Sequence, residues 1–314
     1  MIQAPISLVS IAIITCGRPA GLEKLLTAIS CLTFPDFPDL ELRVVVVENG
    51  RKELAEAQVE SFREALKDIV YAHEPRPGIS YARNAALQYA VVDSDYVAFI
   101  DDDEYPGPHW LNALLLCSLK HGASLVRGPV IPILPCNAPN WAIHGGFFMR
   151  ERYKCGTEVR HCASNNVLIE SQLLRDSELR FRSEFALTGG EDTLFFLQLC
   201  QRFSIQPIWC DHAIVYEDIS EARVTPMWLK RRATRAGSNM PQYDAIIGNV
   251  PYYRVRWVLH GLYHIIVSLL LRLPKVSPSE LQRMRSHIRY ALGVGMIRGA
   301  MGQVVDEYSE RHSN

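Results

Sequence analysis

The sequence predicts an α/β fold, with a mixed, mainly parallel sheet flanked by helices and followed by a helical C-terminal extension. Three observations predict it. Over the first hundred residues, apolar runs of strand length alternate with stretches of helical spacing, which implies a parallel sheet covered by helices. Three of the runs end in polar clusters, at 15–18, 48–49 and 101–104. Ligands bind outside the carboxyl ends of parallel strands, so these clusters converge on one edge. From about residue 250 the chain turns strongly apolar over 257–273, which sets a C-terminal part of 246–314 apart from a main domain of 1–245.

The elements follow in order. Residues 7–14 are rich in Val and Ile and read as a buried strand. Gly17 and Pro19 break it, and Leu22, Leu25, Leu26 and Ile29 then recur at helical spacing. Residues 42–47 form a second strand, 53–67 an amphipathic helix and 69–72 a third strand. A helix over 79–92 carries the small residues Ala82, Ala85 and Ala86, and 96–100 is a fourth strand. Further on, 110–120 reads as a helix, 124–130 as a strand and 161–170 as a strand with a polar start. A helix over 194–203 precedes one or two short strands within 208–216. Residues 226–236 are a basic helix, and 278–292 the last helix.

Composition narrows the function classes. The chain has 314 residues, a net charge of −1, 48% hydrophobic and 21% charged residues, so it is globular and offers no basic face for nucleic acid. Its eight cysteines contain no C-x-x-C pair, and several lie in apolar runs, which favours a reducing, cytoplasmic setting. Cys155, His161 and Cys162 are spaced wrongly for a tetrahedral zinc site, so no structural zinc is expected. No secretory leader is expected at the N-terminus. The apolar stretch at 257–273 holds His260 and His264 and has Arg254, Arg256, Arg272 and Lys275 at its ends. An interfacial helix and a helix buried on the main domain both fit it.

The chemistry centres on Asp101-Asp102-Asp103-Glu104, delivered by a buried strand. Most charge runs are solvated turns. Asp101 and Asp103, however, lie two apart on a nearly extended chain and can hold a hard cation such as Mg2+ or Mn2+, which would neutralise a diphosphate. A second pair, Glu191-Asp192, follows Gly189-Gly190 at a helix start. Capping alone explains one acid there. Two acids suit a general base that takes a proton from an attacking hydroxyl. Arg83, one turn into its helix, is either a surface arginine or a phosphate or base contact.

Five stretches in this order resemble family 2 glycosyltransferases of the GT-A (Rossmann-like) fold: VSIAIITCGR at 9–18, VVVVENG at 44–50, GISYARN at 78–84, VAFIDDDE at 97–104 and GGEDTLFF at 189–196. The run from 78 to 106, with Trp110, Gly128-Pro129 and Trp141, is similar to bacterial exopolysaccharide glucosyltransferases of the succinoglycan type. The resemblance implies an inverting transfer from a nucleotide-diphosphate sugar, UDP-linked, to a glycan or lipid-linked acceptor, with Mn2+ or Mg2+ as cofactor. It assigns Thr15, Arg18, Glu48, Arg83, Asp101 and Asp102 to the donor nucleotide. Asp103 falls to the metal, Asp192 to the catalytic base and Glu191 to the acceptor. Relatives often carry a V-Y-H pattern with a metal-binding His; here Val215-Tyr216 is followed by Glu217, a replacement ligand or a missing one. Glu48 stands where the family usually has Asp. With the basic helix at 230–235, the apolar C-terminal stretch implies peripheral contact with the inner face of the cytoplasmic membrane. Ser164-Asn165-Asn166 and Trp141 are candidates for lining the acceptor pocket. The rivals are a degenerate transferase fold acting as a binding subunit, a nucleotidyltransferase lacking its Gly-rich loop, and a haloacid-dehalogenase-like phosphatase, for which Tyr105 is the wrong residue after the acids.

Overall fold

The computed structural model describes residues 6–50, 55–248, 250–271 and 279–303. In order, the elements are β1 (Leu8–Thr15), α1 (Pro19–Ser30), β2 (Glu41–Asn49), α2 (Ala55–Ser61), β3 (Asp68–Glu74), α3 (Ile79–Ala90), β4 (Tyr96–Phe99) and β5 (Glu104–Pro106). Then come α4 (Trp110–His121), β6 (Leu125–Arg127), β7 (Val130–Ile133), α5 (Asn140–Gly145), β8 (Val167–Glu170), α6 (Ser171–Ser177) and α7 (Glu191–Phe203). The last are β9 (Ile208–Trp209), β10 (Val215–Asp218), α8 (Pro226–Ile247), α9 (Tyr253–Leu270) and α10 (Glu280–Ala300).

The chain forms two compact units. One comprises Met1–Pro132, Arg150–Leu187 and Glu191–Glu217; the other comprises Ile133–Met149, Thr188–Gly190 and Asp218–Asn314. This division differs from a single cut after residue 245. It groups α8 with α9 and α10, because the three helices bury their small-residue faces on one another.

In the first unit a seven-stranded sheet runs β3-β2-β1-β4-β8-β6-β9. β1 pairs in parallel with β2 and β4, and β2 with β3. β8 enters antiparallel between β4 and β6, which makes the sheet mixed. Alternation sorts the apolar side chains onto two faces. Val9, Ile11, Ile13, Val44 and Val46 pack with Leu22, Leu25 and Leu26 of α1 and with Leu111, Leu114 and Leu115 of α4. Ala12, Val45 and Val47 pack with Ala82 and Ala86 of α3 and with Phe195, Phe196 and Leu199 of α7. A small sheet, β5-β10-β7, adds a ledge.

The strand order reverses between β1 and β4, the point where open α/β sheets bind ligands. The carboxyl ends of β1, β2 and β4 share that edge, as the sequence implied. The antiparallel β8 starts there, since Val167 pairs with Phe99. Ser164-Asn165-Asn166 is therefore a loop at the strand ends rather than the start of a strand over 161–170. The stretch read as one strand over 124–130 is divided between β6 and β7. The expected helix over 53–67 is also shorter. Beyond Ser61 the chain forms turns, with Leu66 N donating to Phe62 O, and carries Leu66 into the core before β3. Residues 53–54 of that expectation, 272–273 of the apolar stretch and 278 of the last helix lie outside the described residues.

In the second unit, α10 packs on α8 and α9 through glycines. A Cβ at Gly295 would lie 2.0 Å from the Thr234 carbonyl oxygen, and one at Gly299 2.2 Å from that of Ser238. Trp141 is buried here against Phe147, within an apolar cluster that includes Phe148, Ile219, Leu229 and Met284. Asn239 Nδ2 donates to Gly189 O, and the Tyr243 hydroxyl to Gly190 O. α9 buries Gly261 and Ser268 and leaves Val255, Leu259, Leu262, Tyr263, Ile266, Leu269 and Leu270 exposed.

Candidate active site

The first unit gathers the acids at its switch point. Asp102 is buried and turns inward: Thr15 Oγ1 donates to its Oδ2 at 2.8 Å, and Arg18 Nη1 to its Oδ1 at 2.7 Å. Arg18 Nη1 also pairs with Asp103 Oδ2 at 2.9 Å. The loop after β1 thereby clamps the turn after β4. Burial opposes the charge on the Arg18 guanidinium, yet Asp102 and Asp103 outweigh it and push its pKa up. α1 approaches this turn so closely that a Cβ at Gly21 would lie 2.5 Å from the Asp102 carbonyl oxygen.

Arg83 joins the two acidic motifs. It is only 3% exposed, so it is not a surface arginine. Its Nη2 lies 3.2 Å from Asp101 Oδ1, and its Nη1 pairs with Glu191 Oε1. Glu191 is buried as well, and its Oε2 has no hydrogen-bond partner. The resemblance assigns Glu191 to the acceptor; here its carboxylate is held against the Arg83 guanidinium. Arg83 itself is occupied by carboxylates. It positions the two motifs.

Asp192 sits at the N-terminus of α7. Thr193 N donates to its Oδ1 at 2.6 Å, while Oδ2 receives only long contacts from Ser164 N and Oγ, at 3.3 and 3.5 Å. One oxygen is anchored and the other faces a loop of hydroxyl and amide groups. Gly189 and Gly190, both at positive φ, make the turn that starts this helix.

Glu104 is interior to the first unit. It belongs to β5, is 2% exposed, and accepts from Asn165 Nδ2 at 3.1 Å and from Asp101 N at 3.3 Å. Burial pushes it well above the usual carboxylate range; Asp101, Glu217 and Asp103 add to the rise, and Arg150 opposes it. Glu217 lies opposite Glu104 in the β10–β5 pairing, with Arg150 Nη2 donating to its Oε2 at 2.8 Å. Arg150 thus supplies next to Glu217 the positive charge that a metal would bring.

Glu48 ends β2 opposite Thr15 of β1. Tyr71 donates its hydroxyl to Glu48 Oε2 at 2.7 Å, and Ala55 N donates to Oε1 at 3.3 Å, so the carboxylate caps α2. Its neighbour Asn49, read from the sequence only as part of a polar cluster, donates to Glu74 O and Arg76 O and accepts from Gly78 N. That holds the loop from which α3 delivers Arg83. Gly78 is needed there: its φ is 135°, and a Cβ would lie 2.7 Å from that of Ala186.

Trp110, Gly128-Pro129 and Asn166 form one joint. Trp110 Nε1 donates to Asn166 Oδ1, and Asn166 Nδ2 donates to the carbonyls of Pro129 and Ala213, each at 2.7 Å. Asn166 adopts φ 68° and is fully buried, so it shapes the loop rather than lining a pocket.

The donor set suits a hard divalent cation. Asp101 and Asp103 keep 34% and 20% of their side chains exposed, whereas Asp102 keeps 8%. Burial, set against Arg83 and reinforced by Asp103, Asp192 and Asp102, pushes Asp101 up to about 6. Crowded carboxylates with accessible oxygens are what Mg2+ or Mn2+ bind.

With this geometry, residues 10–177 match the family described as glycosyl transferase family 2. The chain belongs to glycosyl transferase family 2. This transferase is 30% identical over 309 residues to the succinoglycan biosynthesis protein ExoM of Rhizobium meliloti (strain 1021), covering 96% of both chains. It is 26% identical over 245 residues to the pre-mycofactocin glycosyltransferase of Mycobacterium tuberculosis, covering 74% of this chain and 47% of that one. Among solved structures, Staphylococcus aureus TarS 1-349 superposes with a TM-score of 0.54 at 18% identity, over 97% of both chains. Its complex with UDP-GlcNAc gives 0.55 at 17% identity. The transferase therefore has the GT-A fold expected from its motifs.

Proposed function

We propose that this transferase inverts the anomeric centre of a UDP-linked sugar while passing it to a glycan or lipid-linked acceptor in exopolysaccharide assembly. The observation that carries the proposal is the Arg83 bridge, which draws the Asp101–Asp103 turn and the Glu191-Asp192 helix start to one sheet edge. The likeness to ExoM over almost the whole chain supports the exopolysaccharide assignment.

Asp192 is the base. It accepts the proton of the acceptor hydroxyl as that oxygen forms a bond to the anomeric carbon and the bond from that carbon to the diphosphate breaks. Thr193 N and Ser164 hold the carboxylate, so positioning supplies much of its effect. Thr15 and Arg18 fix Asp102 and the turn toward the nucleotide. Asp103 and Asp101 would hold Mn2+ or Mg2+, which when bound offsets the charge of the leaving diphosphate.

Among the described residues no helix is long and apolar enough to cross a membrane. The exposed apolar stripe of α9, with Arg254 and Arg256 at its start, supports peripheral contact with an anionic membrane face.

Transfer from a panel of UDP-sugars, with and without Mn2+, tests the core reading, and NMR of the product reads the anomeric configuration. Asp192→Asn and Asp103→Ala are each expected to lower kcat by about 10²–10⁴-fold. Undiminished transfer in both variants overturns the proposal, and a retained configuration overturns the single displacement.

A further inference from the structure

A second group of ligands lies in the first unit, at the far end of α4 from the acids. Cys117 and His121 are one turn apart on that helix, and Cys155 comes from a separate loop. One potential ligand atom from each falls within 4.8 Å of the others. The Cys117 and Cys155 sulfurs are 3.9 Å apart. Metal–sulfur bonds of about 2.3 Å at tetrahedral angles place two sulfurs about 3.8 Å apart. The Cys210 thiol lies nearby, outside that cluster, and donates to Ala113 O at 3.3 Å. Four soft or borderline donors thus come from three distant stretches.

The backbone is adapted to this meeting. Gly156, at φ 88°, lies beneath the imidazole, and a Cβ there would lie 2.6 Å from His121 Cε1. Gly156 N donates to Trp209 O, and Trp209 N to Thr157 O, so the Cys155 loop and the Cys210 strand end are tied together. A disulfide uses only two of the four groups. Apolar packing does not explain why an exposed imidazole and an exposed thiol meet a buried thiol.

We propose that Cys117, His121 and Cys155 bind one zinc ion, with the nearby Cys210 thiol turning from Ala113 O to close the site as Cys3His. Sulfur and imidazole donors select zinc over the hard cations suited to the acidic turn. The thiols lose their protons to solvent on binding. The site is structural: it pins the loop after Arg152 to α4 and to β9. Its ligands escape sequence inspection because no two of the three stretches are adjacent in the chain.

The test uses the full-length protein, kept reduced and purified without chelator. Elemental analysis is expected to find about one zinc per chain. Replacement by Co2+ is expected to give thiolate charge-transfer absorption and the intense visible bands of tetrahedral cobalt. Cys155→Ser and His121→Ala change exposed side chains, so both variants should fold, and each is expected to weaken Zn2+ binding more than about 100-fold. Each is also expected to lose the rise in Tm that Zn2+ gives the parent, whereas Asp103→Ala keeps its zinc. The proposal is overturned if the reduced protein binds no stoichiometric Zn2+, or if Cys155→Ser and His121→Ala retain it. Loss of zinc from Asp103→Ala alone would also overturn it, by moving the ion to the acidic turn.

Discussion

Arg83 decides more of the site than any acid does. It is the buried cation against which Asp101 and Glu191 are both set, and Glu191 has a second oxygen without a partner. Arg83→Met would leave two carboxylates uncompensated, one of them deep in the unit. The expected loss is about 3–5 kcal/mol, read by denaturant unfolding, with little recovered by Arg83→Lys because a point charge cannot serve both acids. A variant as stable as the parent would remove Arg83 from this role. Asp101 carries a pH dependence. Its folded-state pKa is raised from 3.8 to about 6, so the folded chain binds a proton that the unfolded chain releases. The metal-free protein therefore loses stability from this group as pH rises through that interval, and the cost is complete above it. A divalent cation bound there offsets the cost. The rise in Tm given by Mn2+ is expected to be large near about pH 7.5 and to fade below about pH 6, as Asp101 takes up its proton.

At the scale of elements, the helices of the second unit depend on glycine for their closeness. Gly295 faces the Thr234 carbonyl, and Gly299 that of Ser238, with no room for a side chain. Gly295→Val is expected to separate α8 and α10 and to cost about 1–3 kcal/mol or more, seen as a lower Tm. An unchanged Tm would mean that the helices adjust freely. These glycines lie in the last helix, which was legible only to residue 292; its final turns, which carry both glycines, and its partner were not. The same limit held for α2, because helical spacing continued in the sequence beyond the point where Leu66 had to reach the core.

For the whole molecule, the proposed lipid-linked acceptor raises the question of how a chain without a spanning helix among its described residues would reach a membrane. The apolar stripe of α9 gives a testable answer. Full-length protein is expected to cosediment with vesicles containing anionic lipid, and Leu259→Glu with Ile266→Glu to reduce the bound fraction several-fold without changing transfer to a soluble acceptor. Equal sedimentation of parent and variant would assign the stripe elsewhere. The identity of the acceptor rests on the same experiment read with a lipid-linked glycan.

By itself the sequence determined the alternation of strands and helices, the edge where the polar clusters meet and the order of the family motifs. These follow from local periodicity and from the rule that parallel strands end on one side. Only the tertiary structure decided which acids are buried. Local pattern could not tell that Glu191 is held against Arg83, that Glu48 binds Tyr71 and caps α2, or that Glu104 is interior while Asp103 stays accessible. Burial and pairing are set by residues tens of positions away, which alter the energy of a charge far more than its neighbours in the chain do. For the same reason Cys117, His121 and Cys155 read as unrelated until the fold brought them together.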